Sequence, residues 1–219
     1  NAAVIGFGGM GAGFHVKNLQ KSDVCNLAGI YDIKKERAEL AESRGIHAFA
    51  SLDELIADKE IELVTVAIPN DVHEETVVRL LEGGKNVICE KPVTLSLESL
   101  ERMIAAANKN GKIFSVHQNR RWDDDYLTAT DIIKKNTLGK VFRIESRVQG
   151  SRGIPSDWRR EKVHGGGMVF DWGVHLLDQI LWMMPGAKIR TVYADLRNVI
   201  NDERALVFVD GRTFMGNKN

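Results

Sequence analysis

Asp171 and His175 stand four residues apart in "GGGMVFDWGVHLLDQILWM", a spacing that puts both on one face of a helix. A carboxylate beside an imidazole holds its tautomer and raises its basicity, which suits a general acid/base. The competing reading is an Asp171 that only favours the helix dipole, with His175 an ordinary semi-buried residue. Lys91 is the third candidate, in Glu90-Lys91-Pro92 directly after the apolar "NVIC". Charge at the end of a buried strand is costly without a partner. Either Glu90 and Lys91 form a structural pair, or the Lys91 ammonium is presented beside a cofactor ring. Pro92 fixes the local turn, and the peptide before it has access to the cis form.

A nucleotide clamp can be read near the start of the chain. "VIGFGGMGAGFH" runs an apolar strand into Gly6-Phe7-Gly8-Gly9-Met10-Gly11, a GxGxxG. Such a run alone is a weak signal, since a glycine-rich turn needs no ligand. Here it follows a strand, opens a helix, and precedes an acidic residue, Asp32, at the end of the next strand. Gly6 permits the tight turn, Gly8 lets the backbone approach a pyrophosphate, and Gly11 lets helix and strand pack closely. The helix N-terminus offers free N–H groups and partial positive charge to phosphates. Asp32 would accept hydrogen bonds from the adenosine ribose and repel a 2′-phosphate, favouring NAD over NADP. Lys34 and Lys35 either soften that preference or are solvated lysines at a helix start. Pro69-Asn70 closes a strand at the edge where open α/β sheets bind ligands. His73 follows as a cofactor neighbour or as a capping or surface residue. With Glu90, Lys91 and Asn119, these residues complete the expected cofactor contacts.

The elements that must position these groups alternate through the first half. Strands are expected over Ala2 to Gly6, Val24 to Asp32, Ile61 to Pro69, "NVIC" and "KIFSVHQN". Helices are expected over Met10 to Lys21, Lys34 to Arg44, Leu52 to Ala57, Val72 to Glu82, and from an N-cap at Ser96 to Asn110. Apolar strand runs alternating with helices predict a parallel sheet covered on both faces. The second half differs: a helix from Asp123 to Asn136, an alternating strand from Val141 to Gly150, a loop "SRGIPSDWRREKVHGGG", a helix from Phe170 to Met184, and a strand "IRTVYADLRNVI". The division is expected near Asn119 to Trp122, giving a dinucleotide-binding domain over 1–119 and a substrate and oligomerisation domain over 120–219.

Composition excludes several classes. The 219 residues are 43% hydrophobic and 27% charged, with 30 basic and 30 acidic side chains. That balance argues against a nucleic-acid partner. No apolar run reaches the roughly 20 residues a membrane span needs, and no signal-peptide pattern stands out. Cys25 and Cys89 have no CxxC spacing and form no metal-like cluster, so no metal is expected. A reducing, cytoplasmic setting fits.

"GFGGMG", the strand-end Asp32, "PNDVH", "EKP", "HQNRRW" and "GGGMVFDWGVHLLD" together resemble the Gfo/Idh/MocA oxidoreductases, which include glucose–fructose oxidoreductase and inositol dehydrogenase. The resemblance spans about residues 1 to 185. It implies an N-terminal Rossmann domain and a C-terminal α/β domain with an open, mainly antiparallel sheet that forms a homo-oligomer interface. It implies reversible hydride transfer between a nicotinamide cofactor and a hydroxyl-bearing carbon of a sugar, cyclitol or polyol. Carried over, Lys91 hydrogen-bonds the reacting oxygen, His175 handles the hydroxyl proton, and Asp171 orients His175 or the substrate. Asn119, Arg121, Trp158 and Arg159 are further loop residues within reach of substrate or cofactor, although Arg121 and Trp122 could equally be packing. A non-catalytic cofactor-binding regulator and an NAD-dependent glycoside-cleaving enzyme are the alternatives. The second half has room for roughly three strands, around Val141, Ile189 and Ala205. A break near Asp202 to Arg204, or a truncated protein, would account for that shortfall.

Overall fold

The computed structural model describes residues 1–150, 157–199, 202–209 and 212–218. The chain forms two units, Asn1–His117 and Gln118–Asn219, each with its own sheet. Residues 151–156 of the expected arginine-rich loop lie outside the described residues. Among the described residues, no helix is long and apolar enough to cross a membrane.

The first unit carries five parallel strands: β1 (Ala2–Ile5), β2 (Leu27–Tyr31), β3 (Leu63–Val66), β4 (Asn86–Glu90) and β5 (Phe114–His117). Their order is β2-β1-β3-β4-β5. Strand side chains alternate between faces, and β1 feeds a core on each side of the sheet. Ala3 and Ile5 enter one core with Val64, Val66, Leu80, Leu81 and Met103, whereas Val4 enters another with Phe7, Val16 and Ile30. A strand buried on both faces must be apolar throughout, which is why these segments read as unbroken runs. The helices α2 (Lys35–Glu42), α3 (Leu52–Ala57), α4 (His73–Glu82) and α5 (Leu97–Asn110) cover the faces. Ser96 caps α5 as expected, its Oγ accepting the Ser99 N–H at 3.2 Å, and the helix stops at Gly111 with φ +61°.

The helix after the glycine loop departs from regular α geometry. A π-helical turn over Gly11–Val16 leads into the short α1 (Lys17–Leu19). Such wide turns commonly mark functional positions.

The second unit contains α6 (Asp124–Lys134), β6 (Ser146–Gly150), α7 (Val174–Met183), β7 (Val192–Val199), β8 (Asp202–Val209) and β9 (Arg212–Lys218). Its sheet runs β6-β9-β8-β7, antiparallel except where β6 pairs β9. Among the described residues this sheet has four strands, where roughly three were expected. Residues 141–145 are not strand, the strand expected around Ile189 begins at Val192, and β9 went unread. The stretch from Asp202 to Arg204 enters β8 in register with Val199 to Arg197. The helix expected from Phe170 begins instead with a π-turn over Val169–Gly173.

Candidate active site

In the first unit, two glycines are demanded by the fold alone. Gly6 has φ +91°, and a Cβ there would stand 2.3 Å from the Ala67 carbonyl oxygen. A Cβ on Gly11 would stand 1.7 Å from the Gly6 oxygen and 3.6 Å from Val4 Cγ1 of β1, so only glycine lets the helix come this close. Gly8 and Gly9 are different. A Cβ on Gly9 would meet nothing within 4 Å, and one on Gly8 would first touch the Arg37 guanidinium at 3.4 Å. The loop thus leaves open space before Gly9, with half-buried Met10 beside it, and the residues present fit a dinucleotide phosphate there. The Phe7 N–H donates to Asp32 Oδ2 at 2.7 Å, the Lys34 N–H to Oδ1 at 2.9 Å, and Arg37 Nη1 to Oδ2 at 3.3 Å. The Asp32 carboxylate therefore ties the glycine loop to the start of α2, with only 5% of its side chain exposed. Lys34 and Lys35 are exposed, and Lys35 pairs with Glu39 along the helix at 3.3 Å.

Along the same carboxyl edge, Pro69 and Asn70 follow β3, and Asn70 is buried. His73, expected beside the cofactor, needs correction. It has no exposed surface, and its ring nitrogens meet the carbonyl oxygens of Pro92 (3.0 Å), Val93 (3.3 Å) and Ile68 (3.0 Å). Burial lowers its pKa against the opposing pull of these carbonyls. An imidazole enclosed in this way cannot present an atom to a ligand; it ties the segment after β3 to the one after β4. That second segment contains a cis Lys91–Pro92 peptide, the form left open by the sequence.

Glu90 closes β4 and is buried. Its Oε1 meets His15 Nε2 at 2.7 Å and His117 Nδ1 at 2.9 Å, while Oε2 accepts the Lys91 backbone N–H at 3.3 Å. Burial by itself would raise the Glu90 pKa, but the hydrogen bonds from His117 and His15 outweigh it and hold the carboxyl at about 2. The donor atoms of His15, Glu90 and His117 lie within 4.8 Å of one another, a set whose members are far apart in the sequence. Tetrahedral ligands about 2.0–2.1 Å from zinc stand about 3.3 Å apart, so the observed separations are those of hydrogen bonds. The trio is a polar cluster around an ionised carboxylate.

In the second unit, His175 is buried near the start of α7. Its Nδ1 faces Gln118 Oε1 at 3.1 Å, and the Trp172 ring packs edge-on with centroids 6.2 Å apart. Asp171 lies in the preceding π-turn, its N–H donating to the Gly167 oxygen at 2.9 Å. The expected i,i+4 relation thus crosses a change of helical period. Asn119 opens a 3₁₀ turn, Asn119–Trp122, and is half-buried. Arg121 is taken up by a two-pronged bond to Asp178 (2.8 and 2.6 Å) and stacks over Trp182 at 4.3 Å, which favours the packing reading. The hydrogen bonds to Asp178 raise its pKa. Arg120 lies over Trp172 at 4.1 Å, and its carbonyl accepts from Gln179 at 2.6 Å. Arg159 pairs with Asp157 at 2.6 Å and stacks on Trp158 at 4.5 Å. Four residues of this chemistry escaped the sequence reading: Arg37, His15, His117 and Gln118. The last two stand in the quoted "HQNRRW", and His15 closes the glycine-loop stretch, but nothing local names their partners.

The family model described as "Oxidoreductase family, NAD-binding Rossmann fold" matches residues 1–118, and the one for the GFO/IDH/MocA C-terminal domain matches residues 126–213. An uncharacterised oxidoreductase of Schizosaccharomyces pombe is 38% identical over 81% of this chain and 50% of its own length. A scyllo-inositol 2-dehydrogenase (NADP+) of Bacillus subtilis is 30% identical over 89% of this chain and 55% of its own. The crystal structure of an NAD-binding protein from Listeria innocua superposes with a TM-score of 0.90 at 39% identity, covering 100% of this chain and 66% of that one. The chain spans about half the length of the curated relatives it matches.

Proposed function

The chain belongs to the Gfo/Idh/MocA oxidoreductase family, and from that membership we propose an NAD-dependent oxidation of a hydroxyl-bearing carbon in a sugar, cyclitol or related polyol. The observation that carries the reading is the shared edge of one sheet. Asp32, bonded to the glycine-loop amide of Phe7 at 2.7 Å, follows β2, and Lys91 follows β4 on the same carboxyl side. A bound nicotinamide dinucleotide supplies the two-electron acceptor. Asp32 would hold the adenosine ribose, the backbone around Gly8 to Met10 would hold the pyrophosphate, and Pro69 and Asn70 would border the cofactor. Lys91 donates a hydrogen bond to the reacting oxygen and stabilises charge on it. His175, whose Nδ1 faces Gln118 Oε1 at 3.1 Å, takes the hydroxyl proton as the acid/base. Asp171 orients His175 or the substrate. Proton transfer by a positioned base contributes on the order of 10²–10⁴-fold.

The inositol dehydrogenase among the relatives supports a cyclitol or sugar substrate. That relative uses NADP+ by name, whereas Asp32 supports NAD. The second unit's sheet serves as the surface that joins copies of the chain.

The test is cofactor reduction by the purified protein over a panel of inositols, sugars and linear polyols, followed by absorbance of the reduced cofactor. Lys91→Ala should abolish turnover while NAD binding largely survives. Turnover near wild type in that variant rejects the role of Lys91, and no reduction with any polyol rejects the substrate class.

A further inference from the structure

Glu90, expected as a cofactor contact, forms a buried polar cluster with His15 and His117. Both imidazoles aim at Oε1, at 2.7 and 2.9 Å, and one proton on each ring suffices for both bonds. In that state the trio keeps the single negative charge of the carboxylate. Phe14 packs against both rings, with centroids 5.4 Å from His15 and 5.1 Å from His117, and the two imidazoles lie 4.7 Å apart. Buried charge is little screened by water or salt.

Topology says which half of a dinucleotide this charge meets. β2, which Asp32 follows, flanks β1 on one side; β3, β4 and β5 lie on the other. In a doubly wound sheet the dinucleotide crosses the carboxyl edge where the strand order reverses, one mononucleotide half to each side. With the adenosine ribose at Asp32, the nicotinamide half falls on the side where β4 ends at Glu90 and β5 at His117.

Resting on the NAD reading above, we infer that Glu90 is a fixed charge favouring the cationic, oxidised nicotinamide over the neutral, reduced one, with His15 and His117 as its positioning residues. Oxidation moves the carbon's hydrogen, with both electrons of its C–H bond, onto the ring and releases the hydroxyl proton to the base. The ring therefore passes from one positive charge to none. A buried negative charge stabilises the ring before transfer and not after, so NAD+ is held and NADH leaves more readily. Unit charges about 10 Å apart, at an effective dielectric of about 20, shift an equilibrium constant on the order of tenfold.

The test measures affinities for NAD+, NADH and ADP-ribose by calorimetry at one fixed pH. The variants are Glu90→Gln, His117→Lys, which brings a compensating ammonium to the same carboxylate, and His117→Gln, which keeps a donor and the charge. In the first two, NAD+ binding should weaken about tenfold relative to NADH with ADP-ribose binding unchanged; His117→Gln should keep the wild-type ratio. If Glu90→Gln fails to fold, His117→Lys carries the same electrostatic change from a partly exposed position. An unchanged NAD+/NADH ratio in variants that bind ADP-ribose overturns the inference and leaves the cofactor site standing. A wild-type protein that binds no ADP-ribose overturns the cofactor reading and the inference with it. A wild-type ratio that shifts on adding a chelator also overturns it, by making the trio a metal centre.

Discussion

The side-chain oxygen of Gln118 stands 3.1 Å from Nδ1 of His175. An amide oxygen facing Nδ1 favours the ring tautomer that carries its proton there. The neighbour before Gln118 in the chain, His117, holds Glu90. Two consecutive side chains at the end of β5 therefore fix two different titratable groups.

Gln118→Leu should lower kcat about tenfold to a hundredfold with little change in KM, because His175 loses the acceptor that selects its tautomer. Gln118→Glu should retain most of kcat and move the acidic limb of the kcat/KM profile up by about one pH unit, since a carboxylate favours the charged imidazole. Initial rates across pH check both. An unshifted limb in Gln118→Glu rejects His175 as the titrating base.

His73→Leu should destabilise the protein by about 2 kcal/mol, by leaving buried carbonyls at Ile68, Pro92 or Val93 without a donor. Urea unfolding at neutral pH measures this. A loss confined to NAD affinity, with stability intact, would return His73 to the role of cofactor contact.

Asp32→Ala should weaken NAD binding about tenfold more than NADP binding, because only the unphosphorylated ribose uses the carboxylate. Both cofactors should lose some affinity, as the Phe7 and Lys34 amides lose their acceptor. Equal losses, measured by fluorescence titration, would reduce Asp32 to a tie between loop and helix.

Glu90 should make stability fall in acid. Its carboxyl is held at about 2 in the folded protein against an ordinary value of 4.5. The folded value is the lower one, so the unfolded chain takes up the proton first as pH falls. The contribution, about 3 kcal/mol for such a shift, is fully present above pH 4.5 and disappears by about pH 2. Urea midpoints from neutral pH down to about 3 should drop more steeply for wild type than for Glu90→Gln. Parallel curves would show that the carboxylate is not held by the two imidazoles.

The sequence by itself determined what neighbouring residues can encode. Apolar runs of strand length, helices capped by Ser96 and stopped by Gly111, and the glycine turn with its strand-end Asp32 are local signals, and the five-stranded sheet followed from them. It also determined that Lys91 follows β4 and that His175 lies on a helix after the triple glycine. Only the tertiary structure decided partners. His15 meets Glu90 across 75 positions, His117 meets the same carboxylate across 27, and Gln118 meets His175 across 57. A polar residue carries no mark of which distant group will share its burial. It turned His73 from an expected contact into an internal tie, because burial is a property of the packed sheet and not of the motif. β9 went unread for the same reason. "RTFMGNK" is weakly patterned alone, and its pairing with β6 and β8 comes from strands it meets only once the chain has folded.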